Sequence, residues 1–164
     1  MSALSKRSKS SETFDLKAIK NAYHFAKVIN HQQGFELIKN ASKTYNWNLN
    51  LSEIARIWTN GCIIKSDLMV TLTTTFKSSD SLFDDTSNLN LLNSLEEDTS
   101  KILQYGLSNR IPLDTFSTAF NYWLAMTTEN LPANLIQAQR DYFGAHTYQR
   151  IDASPSDFFH TNWL

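Results

Sequence analysis

Arg140 and His146, set on either side of Gly144, are the residues of this chain whose types and spacing best suit them to bind a ligand. A guanidinium presents a fixed fork of donors matched to phosphate or carboxylate, and a histidine folded back beside it adds a donor to the same anion. The run Leu131-Pro132-Ala133-Asn134-Leu135-Ile136-Gln137-Ala138-Gln139-Arg140-Asp141-Tyr142-Phe143-Gly144-Ala145-His146-Thr147-Tyr148 has to position them. Pro132 fits the first turn of a helix, where its missing N–H costs nothing, and Gly144 fits just past the end, where a left-handed residue is wanted. Arg140 is then expected in the last turn, with His146 released to turn back. Residue types alone leave a second reading open, in which Arg140 pairs with a carboxylate and His146 packs on an aromatic ring.

Other chemistries find less support. A phosphate-cradling loop needs several glycines within a few residues, and Gly34, Gly61, Gly106 and Gly144 are each solitary. Glu96-Glu97-Asp98 are consecutive, so they do not face one another on a helix and suit a solvated face better than acid/base work. His24 and His31 are too far apart for the adjacent-turn pairing that metals require. Cys62 sits beside Ile63 and Ile64 and is expected to be an inert core residue.

The elements that carry these residues read as helices. Leu16, Ile19, Tyr23, Ala26, Asn30, Gln33, Leu37 and Ala41 step by three and four, which predicts one packed face of a long helix from Phe14 to about Tyr45. Asn30 and Gln33 interrupt that stripe, and as buried amides they should find partners on neighbouring helices. Asn50-Leu51-Ser52-Glu53 reads as a capping box opening a second helix, which Asn60-Gly61 ends or kinks before Cys62. Lys77 to Asp80 reads as a loop and Leu89 to Arg110 as a further helix. Asp114 caps a helix to Thr128 that carries Phe116, Phe120 and Trp123. The tail after Tyr148 holds Pro155, Phe158, Phe159 and Trp163 without helical periodicity and wants a partner surface.

At 164 residues, 41% hydrophobic and 12% aromatic, the chain is long and apolar enough for one globular unit with a real core. A formal net charge of −1 offers no footprint for nucleic acid or a membrane surface. With one cysteine no intrachain disulfide is possible, and neither a signal peptide nor a bilayer-crossing stretch is present, which points to the cytoplasm.

The signature run, followed by Phe159-His160-Thr161-Asn162-Trp163, resembles the C-terminal signature of the decarboxylating 6-phosphogluconate dehydrogenase family. Further matches run through Gln33-Gly34-Phe35, Tyr45-Asn46-Trp47-Asn48-Leu49-Asn50, Gly61-Cys62-Ile63-Ile64-Lys65-Ser66 and Ile111-Pro112, so the likeness extends from about Asp15 to Leu164. The chain departs from the family at His31-Gln32, usually tyrosine-alanine, at Thr59-Asn60, usually arginine-glycine, and at Lys65, often arginine.

The resemblance implies an all-α helical domain of this family's C-terminal type with an extended C-terminal tail. Its expected parts are a leader over 1–13, the helical domain over 14–148, and a tail over 149–164 that packs on a partner subunit. By the same resemblance, Arg140 and His146 are lent by one subunit of a homodimer to the other, where they hold the phosphate of 6-phosphogluconate. The complete enzyme uses NADP for oxidative decarboxylation. This chain is expected to begin after the dinucleotide domain and the family's catalytic lysine and glutamate, so alone it should bind no cofactor and be inactive. The alternative is a non-catalytic helical dimerisation module.

Overall fold

The computed structural model describes residues 15–163, so the leader expected over residues 1–13 lies outside it. The helices, in order, are α1 (Leu16–Tyr45), α2 (Leu51–Ile57), α3 (Asp67–Thr75), α4 (Thr86–Ser108), α5 (Asp114–Thr127) and α6 (Ala133–Gly144). Among the described residues the only strand-like feature is an antiparallel bridge between Tyr148 and Phe159. The all-helical expectation therefore holds. No described helix is long and apolar enough to cross a membrane.

The chain divides into two compact units, one through Trp123 and one from Leu124. In the first, α1 lies along α4 and α2 packs on α3. Asp15 caps α1 by accepting from the Lys17 N–H at 2.9 Å, and Asn46, left-handed at φ 56°, ends it. Asn50 caps α2 through the Glu53 N–H at 3.1 Å, but Glu53 turns forward to Arg56 at 2.7 Å, so only half of the capping box forms.

Of the two outcomes left open at Asn60-Gly61, an end or a kink, the helix takes the first, since α2 stops at Ile57 and no helix continues through Cys62. Gly61 takes φ 66°, the Lys65 N–H closes a turn on the Cys62 carbonyl, and the next helix waits for the Ser66 cap of α3. Cys62 is half-buried beside a fully exposed Ile63, not a core residue. Helix α4 starts earlier than the expected Leu89, because Asp85 caps it through the Ser87 and Asn88 N–H groups.

The largest correction concerns which face of α1 is packed. The buried residues are Ala18, Ala22, Phe25, Ile29, Gln32 and Phe35 among others, a second series stepping by three and four. The expected stripe faces outward, with Leu16 80%, Tyr23 58% and Leu37 71% exposed. Alanines decide the matter near the start of α1, because Ala18 and Ala22 bring the helix close to Ile102 of α4. The bulky residues Phe25 and Ile29 then fill the centre with Met69, Leu72 and Leu92. The buried amide is Gln32, not Asn30 or Gln33. Its Nε2 donates to Ser81 Oγ at 3.0 Å and its Oε1 accepts from the Leu82 N–H at 2.8 Å. Asn30 and Gln33 instead line a shallow groove of about 420 Å³ with Tyr23 and Phe116.

The three acidic residues of α4 diverge as their consecutive positions require. Glu96 accepts from the Trp123 indole at 3.0 Å, Glu97 pairs with Lys101 at 2.6 Å, and Asp98 accepts from Asn21 at 2.7 Å. His31 is buried, with Nδ1 2.7 Å from the Lys27 carbonyl. Burial lowers its pKa, that hydrogen bond opposes the shift and the nearby Lys27 charge adds to it. Among the described residues no group of histidine, cysteine and carboxylates could hold a metal.

Candidate anion-binding site

The second unit is built on α6 and the tail. Pro132 stands at the N-cap with φ −57°, one step before the helix, in keeping with its fixed backbone. The helix then runs through Gly144, so Arg140 lies a turn before the end, not in the last turn. The left-handed residue that stops the helix is Ala145, φ 47°, whose N–H bonds the Asp141 carbonyl. Gly144 serves a different need. A Cβ there would stand 2.8 Å from His146 Nε2, so the glycine leaves room for the imidazole to lie against the helix end.

His146 therefore does turn back, as expected, and its ring meets Phe143 edge-on at 5.8 Å between centroids. That contact also satisfies the second reading of the histidine. Arg140 is exposed and pairs with no carboxylate among the described residues; its Nη1 donates to Gln137 Oε1 at 3.1 Å. Gln137 in turn donates from Nε2 to the Thr147 carbonyl at 2.5 Å. Arg140 is thus linked through one amide to the residue after His146. His146 lines a cleft of about 880 Å³ with Gln137, Tyr148, Arg150 and Trp163, and Arg140 stands outside that lining.

Asp141 was not singled out in the sequence, yet it organises the site. Its carboxylate is completely buried and accepts from the Thr147 N–H at 3.0 Å, His160 Nδ1 at 2.9 Å, the Thr161 N–H at 3.0 Å and the Trp163 indole at 2.9 Å. A signal was available: a carboxylate one turn from a helix C-terminus opposes the helix dipole, and the opposition requires compensating donors. The tail supplies them. Tyr148 and Phe159 exchange backbone hydrogen bonds at 2.9 and 2.8 Å, the Tyr148 and Thr161 hydroxyls meet at 2.6 Å, and Trp163 rests edge-on against Tyr142.

Burial by itself pushes the Asp141 carboxyl up, but the hydrogen bonds from Thr161, His160, Trp163 and Thr147 outweigh it and hold the group well below the usual carboxylate range. The folded state then binds this proton less readily than the unfolded chain. Its stabilisation is complete above the unfolded value of about 4 and drains away as pH falls below it. The folded-state Trp163 indole resonance is accordingly expected to persist from neutral pH down to about pH 5 and to give way to the unfolded one only on further acidification. Loss of the folded resonance centred near neutrality would contradict this.

A family model described as "6-phosphogluconate dehydrogenase, C-terminal domain" matches residues 2–163. The chain is 41% identical over 153 residues to the decarboxylating 6-phosphogluconate dehydrogenase of Buchnera aphidicola subsp. Schizaphis graminum, covering 89% of this chain and 31% of that protein. Its identity to the Escherichia coli K12 enzyme is 37% over 156 residues, covering 91% and 32%. The Plasmodium falciparum 6-phosphogluconate dehydrogenase, solved in apo form and in complexes with NADP+ and with 6-phosphogluconate, superposes with a TM-score of 0.84 at 37% identity, over 94% of this chain and 34% of that one. The chain thus spans about a third of the length of the relatives it matches.

Proposed function

We propose that this chain, which belongs to the 6-phosphogluconate dehydrogenase C-terminal domain family, is the dimer-forming part of a cytoplasmic, NADP-dependent enzyme that oxidatively decarboxylates 6-phosphogluconate to ribulose 5-phosphate. In this reading Arg140 and His146 hold the substrate phosphate for the neighbouring subunit. The observation that carries it is the joint anchoring of both residues at Thr147, through Gln137 on one side and the chain itself on the other. A guanidinium fork and an imidazole so placed grip a part of the substrate remote from the reacting carbons, which makes them binding groups, not proton carriers. The departures at His31 and Gln32 belong to the first unit, where both side chains are buried.

The cofactor does not fit these residues. Three of the glycines answer local needs, since Gly106 accommodates Leu113, Gly61 makes a turn and Gly144 admits His146, and Gly34 stands alone within α1. No set of them offers adjacent backbone N–H groups to a pyrophosphate. In a fluorescence titration, the 164-residue chain alone is expected to take up no NADP. Tight uptake would overturn the division of labour proposed here.

The outward stripe of α1 supports the dimer, because Leu16, Tyr23 and Leu37 leave apolar surface wet in a single copy. Exposed Phe158 and Trp163 add to it from the tail. Light scattering at micromolar concentration is expected to give a dimer mass, and deleting the residues after Tyr148 to shift it toward the monomer. A monodisperse monomer with the tail intact would sink the dimer.

A further inference from the structure

We propose that the C-terminal segment His160–Trp163 is a latch that, through Asp141 and Gln137, positions the anion site of Arg140 and His146. The proposal rests on the phosphate-clamp reading above and concerns what holds that clamp in shape. His146 is flanked by two non-glycine residues in the left-handed region, Ala145 at φ 47° and Thr147 at φ 61°. A β-branched residue such as Thr147 rarely adopts that conformation, and it persists only where the surroundings over-determine it.

Here they do so from both sides of one residue. The Thr147 N–H is held by Asp141 at 3.0 Å and its carbonyl by Gln137 at 2.5 Å, while the Thr147 hydroxyl donates to the His146 carbonyl at 2.7 Å. Gln137 spends its remaining oxygen on Arg140, so the guanidinium and the strained segment share one support.

Asp141 would be a poor anchor alone, being a buried carboxylate against a helix dipole. The tail makes it a good one. His160, Thr161 and Trp163 supply three of its four donors, so the last residues of the chain determine whether Asp141 is available, ionised and oriented for Thr147. Neither Gln137 nor the tail residues need touch the anion. They act through Arg140 and His146, which makes them positioning residues.

The test uses the 164-residue chain with inorganic phosphate as the probe, followed by NMR through the His146 ring signals. Trp163→Phe removes the indole donor and keeps a ring for Tyr142, and Gln137→Leu removes the bridge and keeps the helix. In both variants the phosphate Kd is expected to rise about tenfold, the scale of a lost hydrogen bond to a charged group, while the helical circular dichroism at the assay temperature is unchanged and the melting temperature falls modestly. The His146 signals should also lose the ring-current shift that Phe143 imposes. Arg140→Ala serves as the control for the parent reading and should abolish binding. If Arg140→Ala leaves phosphate binding intact, the clamp reading fails and the latch falls with it. If Arg140→Ala abolishes binding while Trp163→Phe and Gln137→Leu bind phosphate like the parent chain, the clamp stands and the latch is wrong.

Discussion

Arg140→Ala, placed in a complete dehydrogenase carrying this domain, is expected to raise the Michaelis constant for 6-phosphogluconate by about ten- to a hundredfold, the range of a lost charge-assisted hydrogen bond or two. Turnover should fall far less. A group that grips the phosphate in ground state and transition state alike contributes uniform binding, and its loss appears in the Michaelis constant. Arg140→Lys should also impair binding although charge is kept, since an ammonium cannot reproduce the planar two-bond fork. The structure adds a reason: with Nη1 donating to Gln137 at 3.1 Å, the planar guanidinium keeps further N–H groups for an anion in the same fork, which a point-like ammonium lacks. Steady-state kinetics in 6-phosphogluconate at saturating NADP decide the matter. An unchanged constant would return Arg140 to an ordinary surface residue.

The second large effect belongs to the core. Phe25 is completely buried, with Phe120 at 5.7 Å and Trp123 at 6.0 Å between ring centroids. Phe25→Ala removes a full aromatic side chain from α1 and leaves a cavity between α1 and α5, at an expected cost of about 3–5 kcal/mol. That is a large share of the roughly 5–15 kcal/mol that typically holds a domain, and the melting temperature should drop by about 10 °C. Leu37→Ala on the opposite face of the same helix is the informative contrast. It is 71% exposed, so its replacement should leave the melting of a single copy nearly unchanged and weaken self-association instead. Thermal melts read beside light scattering separate the two faces. Equal destabilisation by both substitutions would show that the outward stripe is packed within one copy.

The two faces of α1 show how far periodicity reaches. Both stripes step by three and four, so hydropathy establishes that the helix exists and where it starts and stops but does not choose between two apolar faces. The choice is made by shape. Small residues at Ala18 and Ala22 allow close approach to α4, and a buried Gln32 is tolerated because Ser81 and the Leu82 backbone arrive from elsewhere in the chain to satisfy it. Partners at that sequence distance are invisible to a local pattern. The cap residues Asp15, Asn50 and Ser66, by contrast, act on N–H groups within three residues of themselves, and the Asn50 cap was legible from the chain alone.

The candidate site divides along the same line. Arg140 and His146 stood out by residue type, and the turn-back of His146 around Gly144 followed from local chain geometry. The family followed from motifs that stand in order along the chain. What the sequence could not show is why that geometry persists. Gly144 is required by contact with the His146 ring, not by backbone conformation, and Ala145 carries the left-handed turn in its place. Asp141, unremarked beside Arg140, becomes the anchor only when a tail some twenty residues further on returns three donors to its carboxylate. Local chemistry thus determined which helices form and which side chains were suited to an anion. Tertiary structure decided which faces meet and what holds the site in shape, because burial and hydrogen-bond satisfaction depend on groups that the chain brings together only by folding.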